Sequence, residues 1–232
     1  MSSNAKIELY RFIGDMRKKY PLLCYSKNKN IEEFCLDNNI ELHLKKFDSK
    51  GLCGAAFVGE KHDTIILNSC RSKSEMTFDF IHELIHTKKH RNTDKQAFTC
   101  FDRKQNSYIE WEANEGAAEF LVPYKLFLPI IKENYNKINS QVFGAFQFCE
   151  ETAGLFNVSN AVITNRLDNL KYEIYQYLNG TPLEHVKILS LSEQRKQGII
   201  VKSLIEIKDE RFKQFYSRRE QIENQYNNSV SF

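Results

Sequence analysis

The sequence predicts an α+β domain: a small antiparallel sheet near the N-terminus, then several helices, then a C-terminal extension. Three patterns point to this class. Apolar residues recur at helical spacing over residues 6–19, alternation and turn signals dominate residues 40–67, and helical spacing returns from residue 72 to residue 178.

In chain order, Ile7, Leu9, Tyr10, Phe12, Ile13 and Met16 form the stripe of a first helix that Pro21 stops. A second helix covers residues 31–35 and ends near Asn38 and Asn39. Ile40, Leu42 and Leu44 then alternate with polar residues as in a half-buried strand. Residues 55–58 and 64–67 read as a hairpin, with Gly51 and Gly54 marking a turn before it. Ser72 and Glu75 have capping-box spacing, which starts a helix running to about His90. A polar connection over residues 91–107 leads to a helix over 108–121, which Pro123 ends. Further helices are expected at 124–135, 140–156 and 159–178. Asn179 and Gly180 then mark the end of a domain spanning residues 1–180. The extension, residues 181–232, shows strand-like runs at 186–189 and 198–207. After them comes a charged helix with Phe212, Phe215, Tyr216, Ile222 and Tyr226 on one stripe; it is expected to dock on the core, with residues 227–232 frayed.

Apolar residues at 41% and aromatics at 12% are enough for a core and too many for a disordered chain. Thirty-three Lys and Arg against 30 Asp and Glu leave a net charge of +3, too small to steer the whole protein to nucleic acid or anionic lipid. The uncharged stretch 152–165 is shorter than the roughly 20 residues of a membrane span. Residues 1–15 carry charges and lack the apolar core of a signal peptide, so a cytoplasmic location is expected. The six cysteines (Cys24, Cys35, Cys53, Cys70, Cys100, Cys149) include no closely spaced pair, and they read as reduced, mostly buried thiols rather than a metal cluster.

The chemistry concentrates in His82, Glu83, Leu84, Ile85 and His86. On a helix, positions i and i+4 share a face, so both imidazoles can reach one Zn2+ while Glu83 reaches a water beside it. His90 is excluded as third ligand because eight helical residues rise about 12 Å, which leaves it a surface residue or a support behind the ligands. A third histidine ten residues after His82 would fall on Asn92. The candidate is Glu110. In helical phase it lies on the apolar stripe with Ala113, Ala117, Phe120 and Leu121, whereas Glu112, Glu115 and Glu119 share the opposite stripe. A carboxylate on a packed face is costly unless it is paired or bound to metal. Asn114, one turn on, is placed to accept the second ring N–H of a ligating histidine. Small Ala113, Ala117 and Ala118 suit a close helix crossing. The expected ligand set is His82, His86 and Glu110, with Glu83 as general base and Zn2+ or Mn2+ as the ion.

These residues resemble the ImmA/IrrE family of metallo-endopeptidases, within the gluzincin group. The resemblance rests on an aliphatic strand at 64–68 and on Phe78 four residues before His82-Glu83 and His86. It extends to Glu110, Ala113, Asn114, Ala117, Ala118, Leu121 and Pro123, and downstream to Leu155, Phe156, Val158, Ser159, Ala161, Val162, Arg166 and Leu167, covering about residues 30–178. Ile85 stands where the family often has Gly, and Gly116 where it often has Phe. The resemblance implies a zincin-like fold and a protein substrate, a helix-turn-helix repressor guarding a mobile element or a stress regulon.

The donor that would hold the developing oxyanion stays open among Tyr108, Tyr124, His90 and His185. A second class of function is a metal-containing DNA-binding or repressor-binding regulator. Residues 140–178 contain a helix-turn-helix-like segment in which Asn160, Asn165, Arg166, Asn169 and Lys171 would face bases and phosphates. The segment has no basic cluster, so direct nucleic-acid binding is disfavoured against a helical scaffold. A silent, metal-stabilised relative is disfavoured by the presence of Glu83.

Overall fold

The structure is a computed structural model that describes residues 4–21, 23, 31–47, 51–101, 107–140, 143–207, 210, 213–214, 217–219 and 221. Helices α1 (Ala5–Lys19) and α2 (Ile31–Asp37) precede strands β1 (Ile40–Lys45), β2 (Leu52–Phe57) and β3 (Asp63–Asn68). Next come α3 (Lys73–Lys89), β4 (Ala97–Phe101), α4 (Tyr108–Leu121), α5 (Tyr124–Glu133), α6 (Tyr135–Ser140), α7 (Gly144–Phe156), α8 (Asn160–Asn169) and α9 (Lys171–Leu178). A 3-10 turn (Leu183–His185) and α10 (Leu191–Lys196) follow.

The four strands lie in the order β1-β3-β2-β4. Strands β2 and β3 form the expected hairpin, pairing Gly54 with Leu67 and Phe57 with Thr64. The sheet is mixed rather than wholly antiparallel, because β1 runs parallel to β3, pairing Ile40 with Asp63 through Lys45 with Asn68. Alternation shows which face of a strand is buried, not its partner or direction. Strand β4 lies inside the stretch read as a polar connection. Its Phe98 and Cys100 turn inward and its neighbours outward, so the pattern is present but only five residues long.

Helix α3 is the hub. It packs on β2, β3 and β4 from one side and on α4 from the other. Its residues from Asp79 to Thr87 are all buried, which is the signature of a helix enclosed on every side rather than an amphipathic surface helix. Phe80, Ile81, Leu84 and Ile85 join Ala56, Ile65 and Leu67 of the sheet and Ala113, Ala117 and Phe120 of α4 in one core. The two departures from the family pattern meet here. A Cβ at Gly116 would stand 2.9 Å from Ile85 Cδ1 and 3.1 Å from Ile13 Cδ1, so the volume gained at position 85 fills the space vacated at position 116.

Helices α7 and α8 form the expected helix-turn-helix pair, with Asn157 in the left-handed region at φ 54° to end α7. Arg166, read as a phosphate contact, is instead fully buried. Its guanidinium donates to Glu115 Oε1 at 2.7 Å, Tyr10 Oη at 2.9 Å and the Val122 carbonyl at 3.0 Å, and also binds Glu119. Asn169 donates to Glu115 Oε2 at 3.1 Å. Two residues of the supposed nucleic-acid face are therefore spent on α4.

The extension begins against the core. Glu173 Oε1 accepts from Lys6 Nζ at 2.9 Å and from the Leu189 amide at 3.2 Å, while Val186, Ile188 and Leu204 join the main core. The runs 186–189 and 198–207 are not strands. Among the described residues 186–189 and 199–203 take no regular structure, 198 lies in a turn and 204–207 form a helical turn. Helical residues recur from 210 to 221, but the stripe residues Phe212, Phe215, Tyr216, Ile222 and Tyr226, and residues 227–232, lie outside the described residues.

Removing the Arg166 side chain leaves two buried carboxylates without their cation, which in comparable sites costs about 3–5 kcal/mol. Urea denaturation of Arg166→Met is expected to show a loss of that order. A loss below about 1 kcal/mol would mean that the network is not a structural brace.

Candidate metal centre

Local sequence sets the first turns of both site helices. Ser72 Oγ accepts from the Glu75 amide at 3.4 Å and Glu75 Oε2 accepts from the Ser72 amide at 2.9 Å, closing the capping box of α3. Ser107 caps α4 by accepting from the amide of Glu110 itself at 3.2 Å. That bond fixes the backbone beneath the Glu110 carboxylate, and a carboxylate in a first helical turn is favoured by the helix dipole.

The crossing of α3 and α4 brings three donors to one point. His82 Nε2 and His86 Nε2 are 3.1 Å apart. Glu110 Oε2 is 3.3 Å from His82 Nε2, and Oε1 is 3.4 Å from His86 Nε2. Donors bound at about 2.0–2.1 Å to one tetrahedral ion stand about 3.3 Å apart, and the two ring nitrogens and the Glu110 carboxylate are spaced close to that.

The tautomers follow from the outer partners. Asn114 Oδ1 lies 3.2 Å from His82 Nδ1, so Nδ1 carries the proton and Nε2 a lone pair. On the other histidine, His86 Nδ1 is 3.0 Å from His90 Nδ1, and His90 Nε2 is 3.0 Å from Glu112 Oε2. Lys89 Nζ holds the other Glu112 oxygen at 3.1 Å. A proton on His90 Nε2 donated to Glu112 leaves His90 Nδ1 to accept from His86, so His86 Nε2 also presents a lone pair. The Phe98 ring stacks on His86 with centroids 4.4 Å apart. Two lone pairs and a carboxylate facing one another in a dry site repel, and a bound cation removes that repulsion. The donor set therefore fits a divalent metal.

Electrostatics separates the roles. Burial pushes His86 down to about 4 and so keeps the imidazole neutral. Burial would raise Glu110, but in the alternative tautomers that turn a ring N–H of His82 and His86 toward it, those bonds outweigh burial and bring the carboxyl down to about 2. Glu83 goes the other way, pushed well above the usual carboxylate range by burial and then by the charges of Glu110 and Asp79. Neither of its oxygens has a hydrogen-bond partner among the described residues. The sheet backbone closes over this carboxylate at Gly54, where a Cβ would stand 3.1 Å from Glu83 Oε1 and 3.0 Å from the Ile66 carbonyl oxygen.

The outward stripe expected for α4 does not exist. Glu112, Glu115 and Glu119 are all buried, like Glu110, because α4 is covered on one side by α3 and on the other by α1 and Arg166. Phase separates these glutamates by direction, and the direction that seemed free is filled by long-range partners. His90 is buried behind His86 rather than on the surface, and both its ring nitrogens are engaged, which removes it from the oxyanion candidates. Tyr124 stacks on Tyr10, Tyr108 stacks on Trp111, and His185 is exposed. A second cluster has no signal in the sequence. Cys53 and Cys100, far apart in the chain, bring their sulfurs within 4.8 Å of each other and of an Asp79 carboxylate oxygen.

Losing the outer partner of a ligating histidine typically weakens metal affinity 10–100-fold. His90→Ala and Glu112→Gln are each expected to do so in a competition titration against a chromophoric chelator, whereas Glu110→Gln and His82→Ala abolish tight binding. Unchanged affinity in the first two would show that the His86–His90–Glu112 chain is irrelevant to the ligand. The pH response follows from His86, whose value falls from 6.5 unfolded to about 4 folded. Between these values the unfolded chain binds the extra proton, so the metal-free protein loses stability as pH falls from about 6.5 to about 4. Denaturation midpoints across that window test the sign.

Comparison with known proteins agrees with the geometry. Among curated proteins none matches the chain. The family model described as Peptidase_M78, IrrE N-terminal-like domain, matches residues 35–168, a span that holds the whole sheet, both site helices and α8. The chain therefore belongs to the IrrE N-terminal-like domain family of peptidases.

Proposed function

We propose that the protein is a zinc-dependent endopeptidase acting on a helix-turn-helix repressor protein. The observation that carries the peptidase reading is the triangle of His82, His86 and Glu110 donors beside a buried carboxylate, Glu83, that has no hydrogen-bond partner among the described residues. His82, His86 and Glu110 hold the ion, and Mn2+ is an acceptable substitute on donor chemistry. When bound, the ion polarises the scissile carbonyl and acidifies water.

The chain's own residues do the rest. Asn114 and the His90–Glu112 pair keep both imidazole lone pairs directed at one point. Glu83, held in a dry environment that disfavours its charge, takes the proton of the attacking water on a carboxylate oxygen and returns it to the departing amine. Its raised pKa suits it to both halves of that cycle. The repressor substrate is what the family resemblance implies, and the cytoplasmic location belongs to the same proposal. No helix among the described residues is long and apolar enough to cross a membrane.

The test is incubation of the metal-loaded protein with the repressor encoded beside it, followed by mass spectrometry of the products. Glu83→Gln is expected to keep its metal and lose at least about 100-fold in cleavage rate. A repressor left intact under inducing conditions removes the substrate assignment, and cleavage undiminished in Glu83→Gln removes the mechanism.

A further inference from the structure

Cys53 owes its position to an irregularity in the sheet. The β2–β4 register pairs Leu52 with Phe101 and Gly54 with Cys100, leaving Cys53 as an extra residue in β2. Such a bulge re-aims a side chain that regular alternation would send to the other face. Here it brings the buried Cys53 thiol to the Cys100 thiol, which hydrogen-bonds with it. Asp79, one helical turn before Glu83 on α3, completes the group. The two sulfurs and an Asp79 oxygen lie within 4.8 Å of one another, and all three residues are buried.

A separate observation points to a ligand here. Glu83, fully buried, has two carboxylate oxygens without hydrogen-bond partners among the described residues. Glu83 also brings an oxygen within 4.8 Å of Cys100 Sγ, with a His82 ring nitrogen within the same distance of both, so this carboxylate lies between the thiols and the histidine site.

We propose that Cys53, Cys100 and Asp79 form a second metal site, distinct from the His82/His86/Glu110 site, for a borderline-soft divalent cation of the Zn2+, Co2+ or Cd2+ kind. Sulfur donors select such ions over Mg2+ or Ca2+. Binding breaks two S–H bonds, forms two metal–sulfur bonds and releases two protons to solvent, with no change of oxidation state. The charges close within the cluster. Two thiolates and one carboxylate balance the dication together with Arg71, whose Nε lies 2.6 Å from Asp79 Oδ2. A cation there ties β2, β4 and α3 together at the helical turn that carries Glu83. The site stands whether or not the peptidase reading does.

The test is titration of the full-length, chelator-stripped, reduced protein with Co2+ under anaerobic conditions. The wild type is expected to bind two equivalents, one of them giving an intense near-ultraviolet thiolate-to-cobalt charge-transfer band. Cys53→Ser/Cys100→Ser is expected to lose that band and one equivalent while keeping the other, and the retained equivalent reports that the variant is folded. His82→Ala/His86→Ala is expected to do the reverse, keeping the band. Absence of a thiolate band in the saturated wild type overturns the proposal, as does its persistence in the double serine variant. Loss of the band in the histidine variant, with native circular dichroism, also overturns it by showing one mixed site. Loss of only the histidine-dependent equivalent from the wild type would instead count against the peptidase reading and leave this site standing.

Discussion

The structure is organised around an unfavourable convergence. Two imidazole lone pairs and a carboxylate face one another across 3.1–3.4 Å inside a buried crossing of two helices. In the tautomers that present both lone pairs the triangle is attractive only with a cation, so the surrounding fold must hold it. The hold is distributed. Ser107 fixes the backbone of Glu110, Asn114 fixes one ring, His90 with Glu112 and Lys89 fixes the other, and Phe98 stacks on it. The close approach of α3 and α4 rests on small residues at the contact, Ala113, Ala117 and Gly116, the last with no room for a side chain against Ile85.

What the sequence shows of this site is what depends on neighbours in the chain. The capping box of Ser72 and Glu75, the i and i+4 spacing of the histidines and the one-turn offset from Glu110 to Asn114 are local relations, and the structure brings these residues together. The opposite face of α4 was illegible for the complementary reason. Glu115 and Glu119 look like solvent residues until Arg166, more than forty residues downstream, arrives between them. The cysteine cluster is hidden in the same way, since a bulge at Cys53 and a strand outside the recognised pattern bring it together. The parallel pairing of β1 with β3 likewise belongs to topology rather than pattern.

Helix α4 is consequently clamped from both sides by charge. One face offers Glu110 to the histidines, and another offers Glu115 and Glu119 to Arg166 of the helix-turn-helix-like segment. Burial pushes Glu119 up to about 7 even beside the guanidinium, which shows how dry the second clamp is. A basic residue that resembles a phosphate contact in the one-dimensional pattern is here the counter-ion of the metal helix. Arg166 therefore braces α8 against α4, and it contributes to the rigidity that a triangle of converging acceptors requires.

The two glutamates nearest the metal position show how one environment assigns opposite tasks. Both are buried carboxylates, and solvent exclusion raises both. Glu110 has two histidine nitrogens within 3.4 Å, and these bring it down to about 2, so it is an anion at any pH near neutrality and suited to permanent ligation. Glu83 has no hydrogen-bond partner among the described residues, and the charges of Glu110 and Asp79 both disfavour its ionisation. A carboxylate whose ionisation is disfavoured by burial takes up a proton more readily than one held fully ionised. The division between ligand and base thus follows from which of the two faces the imidazoles, a consequence of helix phase on α3 and of the Ser107 cap on α4.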